Sequence, residues 1–241
     1  FMSCSAKLPV YGLITTAFFG ARAGFVVFGL YVLGMLLGIG SGILFKHTIF
    51  RGDPAPFVLE LPPYRMPTLK NISLHVWERV RGFLLKAGTL ILLMSILIWL
   101  LQTFDFRFQM VDNSEQSMLG VIGGAIAPLF RPLGFGTWQA AVSLLTGIVA
   151  KEAVVASMSL FYGFSTLDST GVIASAIGFT PLVALSFLVF VLLYVPCVAA
   201  VGPIRKEMNS LKWTLASVAW QLLTAYVAAL LVFQIGTLLG F

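Results

Sequence analysis

Residues 25–45, FVVFGLYVLGMLLGIGSGILF, contain no charged side chain. A helix of about 20 apolar residues spans the hydrocarbon core of a bilayer, and backbone buried in lipid must satisfy its own hydrogen bonds. The stretch therefore dictates a transmembrane helix. Runs at 83–101, 138–162, 179–201 and 213–240 reach similar length, and 8–20 is a shorter helical one. Of the 241 residues, 59% are hydrophobic and 10% charged, and the mean hydropathy is +0.99. Those values exclude an ordinary soluble domain. The fold class they predict is an all-α, polytopic transmembrane helical bundle.

The net charge of +6 collects between the apolar runs, as cytoplasmic loop charge does, and not along a soluble face that could bind nucleic acid. Residues 46–86 hold Lys46, Arg51, Arg65, Lys70, Arg79, Arg81 and Lys86 against Asp53, Glu60 and Glu78, which predicts a cytoplasmic segment. The loop at 102–118 reverses the balance with Asp105, Asp112 and Glu115 against Arg107, and 163–178 carries only Asp168, so both are expected outside. Two outer loops joined by a single span do not add up. The missing crossing must come from 119–131, LGVIGGAIAPLFR, read as a short or broken segment, which brings the count to about seven. Residues 203–212, with Arg205, Lys206, Glu207 and Lys212, fall inside.

RGDPAPFVLELPPYRMPTLKN carries five prolines, which forbid a regular helix or a central strand. NISLHVWERVRGF follows, with Ile72, Val76, Val80 and Phe83 on one helical face and His75, Glu78 and Arg79 on the other. That pattern fits a helix lying in the interface with Trp77 at headgroup depth. It fits equally the cytoplasmic end of the next span. The chain opens without the charged n-region of a signal peptide and reads as a piece of something longer.

Lys151 and Glu152 stand in the middle of LLTGIVAKEAVVASMSL. Ionised residues at that depth are costly and normally face a bundle interior or a wet cavity. On a continuous helix the two point about 100° apart, so each needs its own partner. The functional reading makes Glu152 a cation ligand and Lys151 its electrostatic control, with Ser159 on the face of Glu152; the plain one makes the charges an interhelical pair. Cys4 and Cys197 each lie near proline, in SCSAKLPVY and YVPCVAAVGP. Pro9, Pro196 and Pro203 free backbone carbonyls, and broken helices of this kind build midplane sites in transporters with internal repeats. Two thiols on one path would favour a borderline or soft cation such as Fe²⁺, Zn²⁺ or Cu⁺ over Mg²⁺ or Ca²⁺; a buried cysteine is also a common packing residue. Met158 shares the helix of Glu152. No phosphate loop, zinc spacing or serine–histidine–acid set occurs, so no catalytic site is expected.

CSAKLPVY, ELPPYRMPTLKN with WERVRGFLLKAG, TGIVAKEAVVAS and LLYVPCVAAVGPIRKE together resemble the ferrous iron transport protein B (FeoB) family, from Cys4 to about Gln234. The resemblance implies the C-terminal part of a membrane domain built from two gate-type repeats. Residues 1–46 would be the end of the first repeat and the following transmembrane helix, 47–82 a cytoplasmic connector with an interfacial helix, and 83–241 the second repeat with C-terminal helices. It further implies inward transport of Fe²⁺ across the bacterial inner membrane as a multi-pass protein. GTP and Mg²⁺ would bind in a separate N-terminal GTPase domain, and the chain itself would hold no resident cofactor. Membrane lipid, small cytoplasmic Feo accessory proteins and a second copy are the expected partners. Cys4 and Cys197 map onto the cysteine motifs of the two gates, which are implied to line the metal path, and Lys151 and Glu152 match the family's AKE segment; the residue reading adds Glu152 as a metal ligand and Lys151, Ser159 and Pro196 as gating or tuning residues. The rivals are a gate-type permease for an organic solute such as a nucleoside, and a non-transporting membrane scaffold.

Overall fold

Apolar chain in a bilayer has few options beyond the helix, and the computed structural model of the chain is helical nearly throughout. It describes residues 1, 3–49, 66, 68–105, 109–110, 114–165 and 169–240. Of the proline-rich connector expected at 51–71, residues 51–65 and 67 lie outside the described residues. Among the described residues ten α-helices follow in order: α1 Leu8–Phe19, α2 Ala23–Thr48, α3 Leu69–Thr103, α4 Met118–Phe130, α5 Trp138–Val149, α6 Ala153–Tyr162, α7 Thr170–Ile177, α8 Pro181–Leu193, α9 Val198–Met208 and α10 Leu211–Leu238. Among the described residues the only β-type pairing is an isolated bridge between Phe104 and Met110.

Local chemistry sets several starts. Ser117, Thr137 and Thr180 each accept a backbone N–H three residues on, from Gly120, Ala140 and Val183, which satisfies donors a helix start otherwise leaves open. Pro181 occupies the first turn of α8, where its missing N–H costs nothing.

α8 is the centre of the bundle. Phe187, Leu188, Val191, Leu192 and Leu193 are fully buried, and α8 packs on α10, α1 and α2. Its inner surface is aromatic: Phe187 and Phe190 meet Phe135 edge to face, with ring centroids 5.3 and 5.9 Å apart. Ser186 donates to the Ala229 carbonyl of α10 at 3.1 Å, and Trp220 of α10 donates to Ser41 of α2 at 3.2 Å. Glycine allows the tightest crossings: a β-carbon at Gly123 would strike Val142, and one at Gly236 would strike Leu182. The outer helices face the other way. Phe25, Phe28, Leu92, Leu93 and Leu223 are exposed, an arrangement that suits lipid and would aggregate in water.

By length and composition two segments among the described residues can cross a membrane, Ser5–Thr48 and Leu211–Leu238, and up to four if each bent pair counts once. The bent pairs are Met118–Leu133 with Trp138–Val149, at 102°, and Thr170–Ile177 with Pro181–Leu193, at 85°. The short segment at 119–131 is thus a helix that turns sharply into the next. The amphipathic stretch from Ile72 runs on without a break into the apolar run after it, as the single 35-residue helix α3. Residues 170–177, read as outer loop, form α7; TGVIASAI is too short to stand out as a span, but it ends on Gly178 at φ 68°, an ordinary left-handed helix stop.

Candidate functional site

Two apolar runs that look continuous in sequence are interrupted. α5 stops at Val149, Ala150 is extended (φ −144°, ψ 124°), and α6 begins after Glu152. The picture of Lys151 and Glu152 as neighbours on one regular helix is therefore corrected: both sit in the break. α8 stops at Leu193, the chain is extended at Tyr194 (ψ 174°) and Cys197 (φ −62°, ψ 158°), and α9 begins at Val198. Pro196 explains this second break. It has no N–H to give the Leu192 carbonyl four residues back, and it biases Val195 away from helical backbone.

Lysine side chains take up the carbonyls at this break. Lys151 is 2% exposed; its Nζ donates to the Val195 carbonyl at 2.5 Å and lies 3.2 Å from the centre of the Tyr194 ring. Lys7, 6% exposed, donates to the Leu192 carbonyl at 2.6 Å. Each ammonium is thereby partly repaid for leaving water, by carbonyl dipoles at a helix C-terminus and by an aromatic face. Tyr194 is itself buried. Its hydroxyl has no hydrogen-bond partner among the described residues and presses on Gly147, where a β-carbon would collide with it.

The two cysteines occupy equivalent places. Cys4 precedes the helical turn Ser5–Lys7 and Cys197 precedes α9, and neither sulfur caps the backbone it precedes. Both are free thiols, Cys4 exposed and Cys197 half-buried. The turn that follows Cys4 ends at Lys7, which bonds to Leu192, and Lys151 bonds to Val195, two residues before Cys197. The fold thus draws two cysteine turns that lie far apart in the chain onto one buried pair of ammonium groups.

The other expected site residues are placed as follows. Glu152 is exposed at the start of α6. Ser159 donates to the Phe164 carbonyl and closes the end of α6. Pro196 forms the break itself. Met158 is fully buried in the apolar core. Among the described residues no group of three or more His, Cys, Asp or Glu is arranged to hold a metal ion. Sequence reasoning passed over Lys7 and Tyr194; the available signal was that each lies three residues from a cysteine, in CSAK and YVPC. Beside Tyr194 a cavity of about 520 Å³, lined by Leu144, Ile148, Phe190, Leu222 and Tyr226 among others, is apolar throughout, fit for an acyl chain and not for an ion.

The comparisons with known proteins cover the whole of this arrangement. The Fe(2+) transporter FeoB of Staphylococcus aureus (strain COL) is 44% identical over 238 residues, 99% of this chain. The chain belongs to the FeoB family. The family model described as ferrous iron transport protein B C terminus matches residues 27–79, and the one described as Gate, nucleoside recognition, matches 84–211, so the Gate match contains both helix breaks. The Fe(2+) transporter FeoB of Methanocaldococcus jannaschii is 39% identical over 245 residues, 99% of this chain. A fusion protein of Porphyromonas gingivalis named Fe(2+) transport protein A/Fe(2+) transporter FeoB is 37% identical over 284 residues, 98% of this chain. The chain spans about a third of these FeoB relatives, 35%, 36% and 33% of their lengths. No solved structure matches it.

Proposed function

We propose that this chain is part of the membrane domain of a ferrous iron importer, moving Fe²⁺ inward across the bacterial inner membrane as a multi-pass protein. The observation that carries the reading is that the Cys4 turn, through Lys7, and the Cys197 turn meet at two buried lysines beside the break between α8 and α9, in a chain whose relatives are named Fe(2+) transporters. Thiolates suit Fe²⁺ better than Mg²⁺ or Ca²⁺. A transport path must also release its ion, so a few ligands met in succession serve better than a closed cage. Cys4 and Cys197 are the central ligands, and Glu152, exposed at a helix start, is a carboxylate met before or after them. Lys151 tunes the site by its charge, Pro196 keeps the helix broken, and Ser159 holds the far end of α6.

Residues 1–46 then end a first gate repeat and continue into a transmembrane helix, 47–82 connect on the cytoplasmic side, and 83–241 make the second repeat. GTP and Mg²⁺ act in a separate N-terminal domain of the full-length protein. The fusion relative, whose name joins transport protein A to FeoB, supports a small Feo accessory protein as partner; membrane lipid and a second copy are the others.

Uptake of Fe²⁺ by proteoliposomes of the full-length protein tests the proposal. Uptake that falls to the protein-free background in Cys4→Ser with Cys197→Ser supports it, and unchanged uptake removes the thiols from the mechanism. The Gate family's description as nucleoside recognition favours one other reading, a nucleoside permease. Labelled nucleoside entering the same vesicles, with Fe²⁺ excluded, would establish that reading instead.

A further inference from the structure

The Leu192 carbonyl would, in an unbroken helix, accept the N–H of residue 196, and that residue is proline. The Val195 carbonyl lies in the extended link between α8 and α9, outside both helices. Buried carbonyls at membrane depth need partners, and theirs are Lys7 and Lys151. Lys7 ends the turn that Cys4 begins, and its partner lies 185 residues further along the chain. Lys151 comes from the other break, 44 residues before its partner. Both bonds thus join separate stretches of chain at the turn that carries Cys197.

We infer that Lys7 and Lys151 are positioning residues that clamp the Cys197 turn: their ammonium groups stand in for the backbone donors lost at the α8–α9 break and hold that turn against the Cys4 turn. The thiols are then brought together by two lysines and not by each other, with no metal required. Three features make the clamp specific. Both ammonium groups are buried, so neither bond competes with bulk water. The Tyr194 ring covers the Lys151 ammonium and fixes its approach. Lys7 is tied to Cys4 by a single helical turn, in which the Lys7 N–H donates to the Cys4 carbonyl at 3.1 Å, so movement of one carries the other. For its consequence in transport the clamp rests on the proposed iron path; as a statement about thiol geometry it stands apart from it.

The test is cross-linking of Cys4 to Cys197 by a short bis-thiol reagent in membranes containing the full-length protein, read by mass spectrometry of the joined peptides. Loss of a buried charge-assisted bond implies that Lys7→Met and Lys151→Met each lower the yield about tenfold, and that Lys7→Arg, which keeps donor and charge, recovers part of it. Pro196→Ala restores an N–H opposite Leu192, so Lys7→Met should lower the yield less in that background than in the native one. An unchanged yield in both methionine variants overturns the clamp. So does a Lys7→Met effect of the same size with and without Pro196, because that assigns Lys7 to charge or bulk alone. Should the methionine variants fail to reach the membrane, Lys7→Arg and Pro196→Ala are compared alone. Pro196→Ala must then lower the yield more than Lys7→Arg does, and the reverse order overturns the proposal. Fe²⁺ uptake measured alongside separates the two claims: cross-linking that responds as stated while the double serine variant still transports would refute the iron path and leave the clamp.

Discussion

Residues 181–208 and the helix α10 make an instructive pair. Both are mostly apolar and equally long, yet α10 runs as one helix of 28 residues while the first splits into α8 and α9. Proline alone does not account for the split, because Pro203 sits inside α9 without ending it. At Pro196, however, buried lysines meet the carbonyls that a break exposes. Proline permits a break, and donors from elsewhere in the fold decide whether it can be held open at membrane depth. α10 contains no proline, so every carbonyl along it keeps its helical donor.

That contrast can be broken at several points. The largest effect is expected from Lys151→Met, which strips the Val195 carbonyl of its donor and the Tyr194 ring of its cation: a loss of about 2–3 kcal/mol, read as a lower unfolding temperature in detergent. Gly147→Ala should come next. Its new methyl meets the Tyr194 hydroxyl and a Val154 methyl, and overpacking of this kind costs about 1–3 kcal/mol; an unaltered unfolding temperature would mean that Tyr194 is free to move aside. Ser186→Ala, on the helix that breaks but away from the break, removes one bond to the Ala229 carbonyl, and about 0.6 kcal/mol is expected from comparable interhelical bonds. The smallest effect belongs to Pro203→Ala, which should leave the Cys4–Cys197 cross-linking yield where it was, whereas Pro196→Ala lowers it. Equal effects of the two would erase the distinction drawn between the prolines.

Much of the architecture was legible beforehand. The runs at 8–20, 25–45 and 213–240 became α1, α2 and α10, since length and apolarity suffice to specify a lipid-facing helix. The segment at 119–131, expected to be short or broken, is a 13-residue helix bent by 102° against the next. Lys151 and Glu152 stood out because charge at that depth is costly, but their arrangement was not readable: the sequence contains no proline at 150–152, and the break there is visible only in the backbone. Cys4 and Cys197 were legible as a recurring pattern near proline. Lys7 was not, because one lysine near the end of an apolar run looks like loop charge until its partner is known.

By itself, then, the amino-acid order determined a membrane bundle, most of its helices, and the side chains whose burial demanded an explanation, because hydropathy and the cost of charge in lipid act residue by residue. The tertiary structure alone decided where those charges found their partners. Leu192 and Val195 are anonymous apolar residues whose contribution is a carbonyl left without its helical donor, and no local pattern says which distant ammonium will reach it. Hydrogen bonds between segments 185 and 44 residues apart exist only once packing has brought the segments together.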